Sequence, residues 1–270
     1  MPISGKIVLF LLACASIPAG VYGQAVSSSA GNRTPLKVAP RMEPAPTAEI
    51  SFGYRLHTDG WSAYMDYGMM RSSETKDKDK FYNTHILQFE LSEKKHPKQE
   101  KLTVQDMGGN TLGKYVFGKI NNFYAVKGGY GYRKMIAGKP DPGSVSIHWT
   151  SIIGPSLGLL KPYYLNLDGL SGANGSIKYS DDTRPKFLNQ QLIIGGAGFS
   201  KGLSEMKPIP GAHFKTMLHF DFAADKHTVL AVETGVDIEY YAEPIPILYN
   251  REAQSYFASL FMSVQFGKRW

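Results

Sequence analysis

The ten residues "FMSVQFGKRW", at positions 261–270, decide the fold because apolar and polar residues alternate there. Bulky apolar side chains stand at Leu260, Met262, Val264 and Phe266, and the last residue is Trp270. Most of the positions between them hold small or polar residues. A two-residue period is typical of a β-strand with one apolar face. This stretch therefore predicts a strand over 254–269.

The same period recurs along the chain from residue 49 onward. In "EISFGYRLH", at 49–57, apolar residues alternate with polar or small ones, and Asp59-Gly60 follows. That dipeptide favours a two-residue hairpin turn in which both residues have positive φ. The pattern predicts eight antiparallel strands, at 49–57, 61–71, 82–92, 121–136, 144–166, 211–223, 228–241 and 254–269.

Alternating strands fit two architectures, which differ in the direction of the apolar face. A soluble sandwich or lipocalin-like barrel turns that face inward. A transmembrane barrel turns it outward and keeps polar residues inside. Charged residues, Gly and Ser collect on the polar face here, and aromatic residues near strand ends match two interfacial girdles: Trp61, Tyr240, Tyr256 and Trp270. The sequence favours an all-β, transmembrane, antiparallel up-and-down β-barrel, most simply of eight strands.

The front of the chain has the features of an export signal. Lys6 precedes the apolar run "IVLFLLACASIPA", and "VYG" precedes Gln24, so residues 1–23 are predicted to be a signal peptide. "LLAC" leaves open a second interpretation, in which Cys14 is lipidated. Residues 24–48, rich in Ser, Pro and Ala, are predicted to form a flexible periplasmic leader before the barrel at 49–270.

Composition excludes several classes of protein. After residue 23 no apolar stretch reaches the roughly 18 residues that a membrane-spanning helix needs. The net charge of +7 is modest, and many cations lie in segments such as "KDKDK", which predict solvated loops. We find no interleaved basic and aromatic pattern, so nucleic acid is not an expected partner.

The final strand resembles the C-terminal β-signal of bacterial outer-membrane proteins, although Phe is the commoner last residue. The residues that match are Tyr256, Leu260, Met262, Val264, Phe266 and Trp270. The chain thus resembles small outer-membrane β-barrel proteins of Gram-negative bacteria, particularly uncharacterised ones of Bacteroidetes type, over residues 49–270. The resemblance implies an outer-membrane location, outer-membrane lipid and the barrel-assembly machinery as partners, and pairing of the last strand with the first.

If the chain terminus lies in the periplasm, as the resemblance implies, the long connections lie outside the cell. The largest are predicted at about 93–120 and 167–210, where a protein partner could bind. The segment "FLNQQLIIGG" within the second of them could supply a further strand. Ten strands is therefore the alternative to eight.

Few motifs in the sequence indicate chemistry. "GGNTLGKY", from Gly108, imitates a phosphate-binding loop, but Tyr115 stands where Ser or Thr is needed and no strand–loop–helix context is visible. A metal site is conceivable on the polar face, and so is a hydrolytic site with a serine at one rim. The candidate metal ligands are His148, His213, His219 and Asp221, and the candidate hydrolytic residues are Ser259, Ser263, Glu233 and His219. Spacing singles out neither set, so no catalytic, cofactor or metal site is predicted.

The polar face nevertheless predicts a charge network inside the barrel. Its members are Arg55, Asp66, Lys127, Arg133, His213, Lys215, His219, Asp221, Glu233, Asp237, Glu239 and Arg269. A turn at 223–227 would place His213 across from Asp237 and Lys215 one diagonal step from Glu233. Because an eight-stranded barrel is only wide enough to be filled by side chains, we expect these charges to pair and close the lumen.

These features favour a non-enzymatic structural or interaction protein whose external loops bind a partner, a ligand or a larger complex. A narrow, porin-like pore or transporter is the first alternative, which a wide hydrated lumen would favour. An enzyme acting on lipid or peptide is the second.

Overall fold

The computed structural model describes residues 46–70, 83–106, 108–138, 144–168 and 175–270. The predicted signal peptide, Cys14 and most of the predicted leader lie outside these ranges. The strands are β1 (Ala48–His57), β2 (Gly60–Met70), β3 (Thr84–Lys94), β4 (Lys101–Gln105), β5 (Thr111–Val116), β6 (Asn121–Ala137), β7 (Ser146–Pro162), β8 (Tyr164–Leu167), β9 (Ser176–Lys178), β10 (Ile193–Gly196), β11 (Lys207–Asp221), β12 (Thr228–Ile245) and β13 (Gln254–Arg269). One short helix, α1, covers Arg184–Phe187.

Eight of these strands form a closed antiparallel barrel in the order β1-β2-β3-β6-β7-β11-β12-β13. The last strand closes the barrel on the first, with Glu49 opposite Arg269 and His57 opposite Phe261. The prediction of an all-β, eight-stranded, up-and-down barrel is confirmed. The ten-stranded alternative is wrong, because "FLNQQLIIGG" ends α1, makes a short 3-10 turn and forms β10 in a separate sheet.

The observed strand ends differ from the predicted ones where the chain leaves the barrel. The predicted strand 144–166 stops at Pro162, because the next residues pair with β9 and β10 instead. β11 begins at Lys207 and β12 runs to Ile245, so both extend beyond the predicted segments. Pairing at these ends depends on the loops, which the two-residue period does not report.

The barrel is inside-out compared with a soluble one. Inward positions hold charged and polar residues, whereas outward positions hold large apolar side chains along every barrel strand. Phe52, Ile153 and Leu260 are representative, with 56%, 63% and 62% of their surface exposed. The strict alternation of each strand therefore separates a polar interior from an apolar exterior, which is the arrangement expected of a transmembrane barrel.

The two ends of the barrel differ. Residues 48 and 269 lie at one end, here called the terminal end. The connections 95–120, 163–206 and 246–253 lie at the other, here called the loop end. A tight turn joins β1 and β2 at the loop end, but its residues are Thr58-Asp59, not Asp59-Gly60. Neither residue has positive φ. Gly60 is needed for another reason, since a Cβ there would lie 1.9 Å from the carbonyl oxygen of Glu93.

The connections at the loop end build a folded unit, here called the loop domain. It consists of the β4–β5 hairpin, the three-stranded sheet β10-β8-β9 and α1. β10 packs against β5, which joins the two sheets. Its buried apolar residues are Tyr115, Leu165, Leu167, Phe187 and Ile193. The long loops thus have a hydrophobic core of their own. Among the described residues, no helix has the length and apolar character required to cross a membrane.

Candidate functional site in the barrel interior

All twelve residues of the predicted charge network lie inside the barrel. Each has at most 7% of its surface exposed. They come from every barrel strand except β3 and β7, and two-residue alternation directs them all to one face. Since unpaired charges are costly to bury, their partners determine what the interior can do.

Glu90 of β3 is the hub of the network. Its carboxylate oxygens lie 2.5 Å from Arg55 Nη1 and 3.0 Å from Lys127 Nζ, and Lys215 Nζ contacts it as well. All four side chains are fully buried. Three cations from β1, β6 and β11 therefore converge on one carboxylate across the lumen. The network ties together strands that are not neighbours in the barrel.

Toward the loop end, two lysines and two acids continue the network. Lys127 Nζ lies 2.8 Å from Asp237 and 2.5 Å from Glu239. Lys94 follows Ser92 by two residues on the inward face of β3, and its Nζ lies 3.0 Å from Glu239. Tyr241 donates a hydrogen bond of 2.6 Å to the same carboxylate. Every carboxylate oxygen of Glu239 thus has a donor.

Toward the terminal end, Glu233 collects donors from four strands. Arg55 Nη2 lies 3.0 Å away, and the hydroxyls of Tyr64 and Ser263 each donate over 2.8 Å. His219 Nδ1 lies 3.0 Å from the other oxygen. The guanidinium of Arg55 also lies over the ring of Tyr64, at 3.6 Å from its centroid. Stacking and charge pairing together fix this guanidinium in the middle of the lumen.

Asp66 is held by amides. The side-chain amides of Gln88 and Gln265 donate to its two oxygens over 2.7 Å and 2.9 Å. At the terminal end, Arg269 bridges two acids, lying 3.0 Å from Glu49 and 2.6 Å from Asp221.

The terminal third of the interior also contains buried polar atoms with no protein partner among the described residues. They are Nε and Nη2 of Arg133, Oγ of Ser146, Nδ1 of His148 and Oγ1 of Thr150. Arg133 keeps one ion pair, to Glu49 at 2.5 Å. Buried polar groups of this kind are normally satisfied by ordered water. The lumen is therefore polar enough to hold water near the terminal end.

The loop end of the lumen is apolar instead. Inward-facing Phe123 and Tyr241 meet edge to face, with ring centroids 5.0 Å apart, and Phe257 stacks on Phe123 at 5.6 Å. The aliphatic side chains that pack in the same cluster are Ile209, Ile245, Ile247 and Leu248. This apolar cap was not predicted. The parity of its residues indicated it, since Phe123 lies on the same face of β6 as Lys127. Tyr241 likewise lies on the same face of β12 as Glu239. Beneath the loop domain, the lumen is closed by side chains.

The predicted partners of two residues on β11 are wrong. His213 lies across from Glu239 and Lys215 across from Asp237, so the register differs by two residues from the expected one. The reason is the turn: Asp225 accepts hydrogen bonds from the amides of His227 and Thr228, each 2.7 Å long. This centres the turn one residue later. Lys215 contacts Glu90 across the lumen. Glu233 instead contacts Arg55 and His219.

The other candidate motifs do not form sites of the kind considered. Gly108–Tyr115 is a hairpin, with positive φ at Gly109 and β5 after it, and no helix follows. His148 and His219 meet edge to face at 5.6 Å, but His213 instead hydrogen-bonds Ser156 at 3.1 Å. Ser263 donates to Glu233 and is buried.

One group of described residues has the spacing of metal ligands, formed by His57, Glu90 and Asp237. Both carboxylates already contact Lys127. The positive charge that a metal would supply is therefore already supplied by lysine.

Sequence reasoning missed five interior residues that complete the network: Glu49, Gln88, Glu90, Lys94 and Gln265. Glu49 shares the parity of Arg55 on β1, and Gln265 shares that of Arg269 on β13, so parity was the available signal for these two. The other three share one face of β3, where no lumen residue was predicted. β3 alternates less cleanly than the others, which hid the hub.

Lys119 marks the boundary between the barrel and the loop domain. It is buried, and its Nζ lies 5.8 Å from the centroid of the Tyr163 ring. Burial lowers the pKa of Lys119 to about 8; the charge of Glu93 opposes this shift, and the charges of Lys95 and Lys101 add to it. Its charged form therefore disfavours the folded loop domain.

Comparison with known proteins gives a likeness of fold. No family model matches the chain, and no curated protein does. Three solved structures similar to it are Neisserial surface protein A (8% identity, TM-score 0.39), Ail of Yersinia pestis (10%, 0.37) and the N-terminal barrel domain of Pseudomonas aeruginosa OprF (7%, 0.33). Each match covers 84% of this chain and 100% of the other. All three TM-scores are below 0.5, and the closed eight-stranded barrel is shown by the strand pairing alone.

Proposed function

We propose that this protein is an integral outer-membrane barrel that anchors the loop domain outside the cell, where that domain binds another molecule. The single observation behind the proposal is the combination of an apolar outer wall, a closed interior and a folded unit at one end. A finer assignment to Bacteroidetes-type proteins rests on the resemblance of residues 49–270, the assembly machinery as a partner rests on the last strand, and the signal peptide rests on residues 1–23. These stay predictions.

The apolar outer wall supports the membrane location. Large exposed apolar side chains occur on all eight barrel strands. Soluble monomers rarely expose contiguous apolar patches beyond a few hundred Å². Lipid would cover this wall at no cost in desolvation. Trp61 and Tyr256 near the loop end and Trp149 and Trp270 near the terminal end suit the two interfaces.

The closed interior supports an anchor over a pore. The network around Glu90 spans the lumen, and the cap formed by Phe123, Tyr241 and Phe257 seals the loop end. An ion would have to displace buried ion pairs and then cross an apolar layer. The same burial disfavours an enzyme acting in the lumen, since Ser263 and His219 have almost no exposed surface.

The loop domain supports a role in binding. Disordered loops would suffice to connect strands, yet these connections bury Phe187 and Leu165 completely. A rigid surface loses less conformational entropy on binding than a mobile loop does. The side chains of Leu112, Phe199 and Leu203 remain exposed on or beside it.

The proposal is tested by comparing the whole chain with a variant in which residues 164–206 are replaced by a short Gly-Ser linker. Both should shift on gels when unheated, because the barrel strands are unchanged. In planar bilayers the whole chain should give no steady conductance. Intact cells should expose the loop domain of the whole chain to added protease. A large steady conductance would favour the pore, and recovery from the soluble fraction would refute the membrane location.

Binding is tested on the same two proteins after mild extraction from native membranes. We expect at least one molecule to accompany the whole chain and to be absent from the linker variant. If the same molecules accompany both proteins, the loop domain is not the binding element.

A further inference from the structure

At one position of the loop end, the strands β1 and β2 end earlier than their neighbour β13. Thr58-Asp59 closes β1 and β2 tightly, and pairing of β1 with β13 reaches only as far as His57 opposite Phe261. β13 begins at Gln254, so several of its residues stand above this turn. The backbone amide of Lys95 donates to Asp59 over 2.6 Å and fixes the segment after β3 on the other side. We call this gap, between residues 95–98 and 250–258, the rim notch.

Two adjoining cavities occupy the rim notch. One has a volume of about 510 Å³ and lies against His96, Lys98 and Arg251. The other has about 320 Å³ and lies against Ile247, Tyr256, Phe257 and Ala258. Both are lined by His96, Pro97 and Gln254, so they form one cleft. Together they have room for a headgroup-sized molecule.

The upper part of the rim notch is cationic. Lys98 and Arg251 line it and Glu252 is its one lining acid. His96 Nδ1 accepts a hydrogen bond of 3.1 Å from the amide of Lys98, which leaves Nε2 to donate outward when the ring is neutral. Partial burial and the charges of Arg251 and Lys98 lower the pKa of His96, so the neutral ring is favoured. Two cations and one N–H donor suit the oxygens of a phosphate.

The lower part of the rim notch is lined by apolar side chains together with Thr58, Asp59 and Lys95, and it opens onto the outer wall. The carboxylate of Asp59 is already paired with Lys94 Nζ at 3.0 Å. Tyr256 and Ala258 face outward on β13, and Tyr256, opposite Tyr240, is 65% exposed. Aromatic residues at this position lie at the level of lipid headgroups in a membrane barrel. The cleft therefore offers cations above and apolar surface below, as an amphiphile with an anionic head requires.

We propose that the rim notch binds the phosphate-bearing headgroup of an anionic lipid from the surrounding leaflet. This inference rests on the proposed membrane function. Lys98 and Arg251 bind the phosphate oxygens, and Tyr256, Ala258 and the neighbouring apolar residues contact the glycerol end of the lipid.

The test uses the whole chain refolded in neutral maltoside micelles, with dihexanoyl phosphatidic acid as the probe and calorimetry as the readout. Lys98→Gln combined with Arg251→Gln should weaken binding about tenfold or more, the equivalent of about one charge-assisted hydrogen bond. The matched control is Lys186→Gln combined with Lys226→Gln, which removes the same charge elsewhere and should leave binding unchanged. Equal weakening in both pairs would overturn the proposal.

A third variant separates a lipid from a soluble anion. Ala258→Trp fills the apolar part of the rim notch and leaves its cations in place. It should weaken phosphatidic acid about tenfold, whereas inorganic phosphate should bind far more weakly than the lipid throughout. If inorganic phosphate bound as tightly as the lipid, or if Ala258→Trp had no effect, the lipid assignment would be wrong. Gel shifts of the same samples report on the barrel itself, so a failure of the notch is distinguishable from a failure of the proposed function.

Discussion

The contact between Glu90 and Lys215 offers the sharpest test of the interior network. Both side chains are fully buried, on strands that lie far apart around the barrel. Glu90 also neutralises Arg55 and Lys127, whereas Lys215 lies 4.0 Å from a second acid, Asp237. A double-mutant cycle of Glu90→Ala and Lys215→Ala therefore isolates one ion pair within a larger cluster.

The expected sizes follow from which charges lose a partner. Removing one partner of a buried pair costs about 3–5 kcal/mol, because it leaves an uncompensated charge. Glu90→Ala should lie at the upper end, since three cations lose a common partner. Lys215→Ala should lie at the lower end, since Glu90 keeps two cations. In the double variant one of the orphaned cations is gone, so the cost should fall short of the sum by about 1–3 kcal/mol.

Urea unfolding of the barrel in lipid vesicles measures these free energies, with tryptophan fluorescence and the gel shift as independent signals. Comparison is valid if the dependence on urea has the same slope in all four proteins. The control cycle uses Lys207 and Glu243, an ion pair in contact at the loop end with side chains 58% and 52% exposed. Its coupling should stay below about 1 kcal/mol. Equal coupling in the two cycles, or additive costs in the first, would refute an energetically connected interior.

Three further predictions address facing, assembly and pH. Leu218→Arg, on the outer wall, should cost about 2–4 kcal/mol in vesicles, and inward-facing Met217→Gln should cost less; equal costs would contradict the assigned faces. Deleting Trp270 together with Phe266→Ala should abolish the heat-shifted band in native membranes, and a full band would refute the assembly signal. The loop domain should resist protease better at pH 9.5 than at 7.5, and Lys119→Met should remove the difference; an unchanged difference would exclude this lysine.

The pH prediction follows from the sign of the linkage. Lys119 has a pKa of about 8 in the folded protein against 10.5 for an ordinary lysine. Between these values the unfolded chain binds more protons, so the stability of the fold rises with pH across that window. The effect is on the order of 1–3 kcal/mol, since one pKa unit corresponds to about 1.4 kcal/mol.

The barrel was predictable from sequence because each strand shows, by its own alternation, which of its side chains face inward. Alternation along a strand reports which side chains share a face, and in a barrel every strand is governed by the same inside–outside difference. Residues as far apart as Arg55 and Arg269 could thus be assigned to one interior without any knowledge of their partners. The hub Glu90 was missed because β3 alternates less cleanly, not because its parity was wrong.

The contents of the loop end were not predictable in the same way. The core around Phe187 and Leu165 brings together residues from two different connections. Neither connection has a hydrophobic periodicity from which this core could be predicted. The rim notch likewise depends on where one strand stops and another continues. The dipeptide Asp59-Gly60 indicated a tight turn. The sequence does not show that β13 extends beyond this turn, and that extension creates the rim notch.

The register error on β11 shows what alternation leaves undetermined. A shift by two residues keeps every side chain on its own face, so the apolar wall is equally satisfied in both registers. In the expected register His213 would meet Asp237, and in the observed one it meets Glu239. Only contacts that depend on position along the strand distinguish them: the Asp225 turn, and the placement of Lys215 against Glu90 across the lumen. The outward apolar residues therefore specify that a barrel forms. The buried charges specify the register of its strands, because any change of register makes them exchange or lose partners.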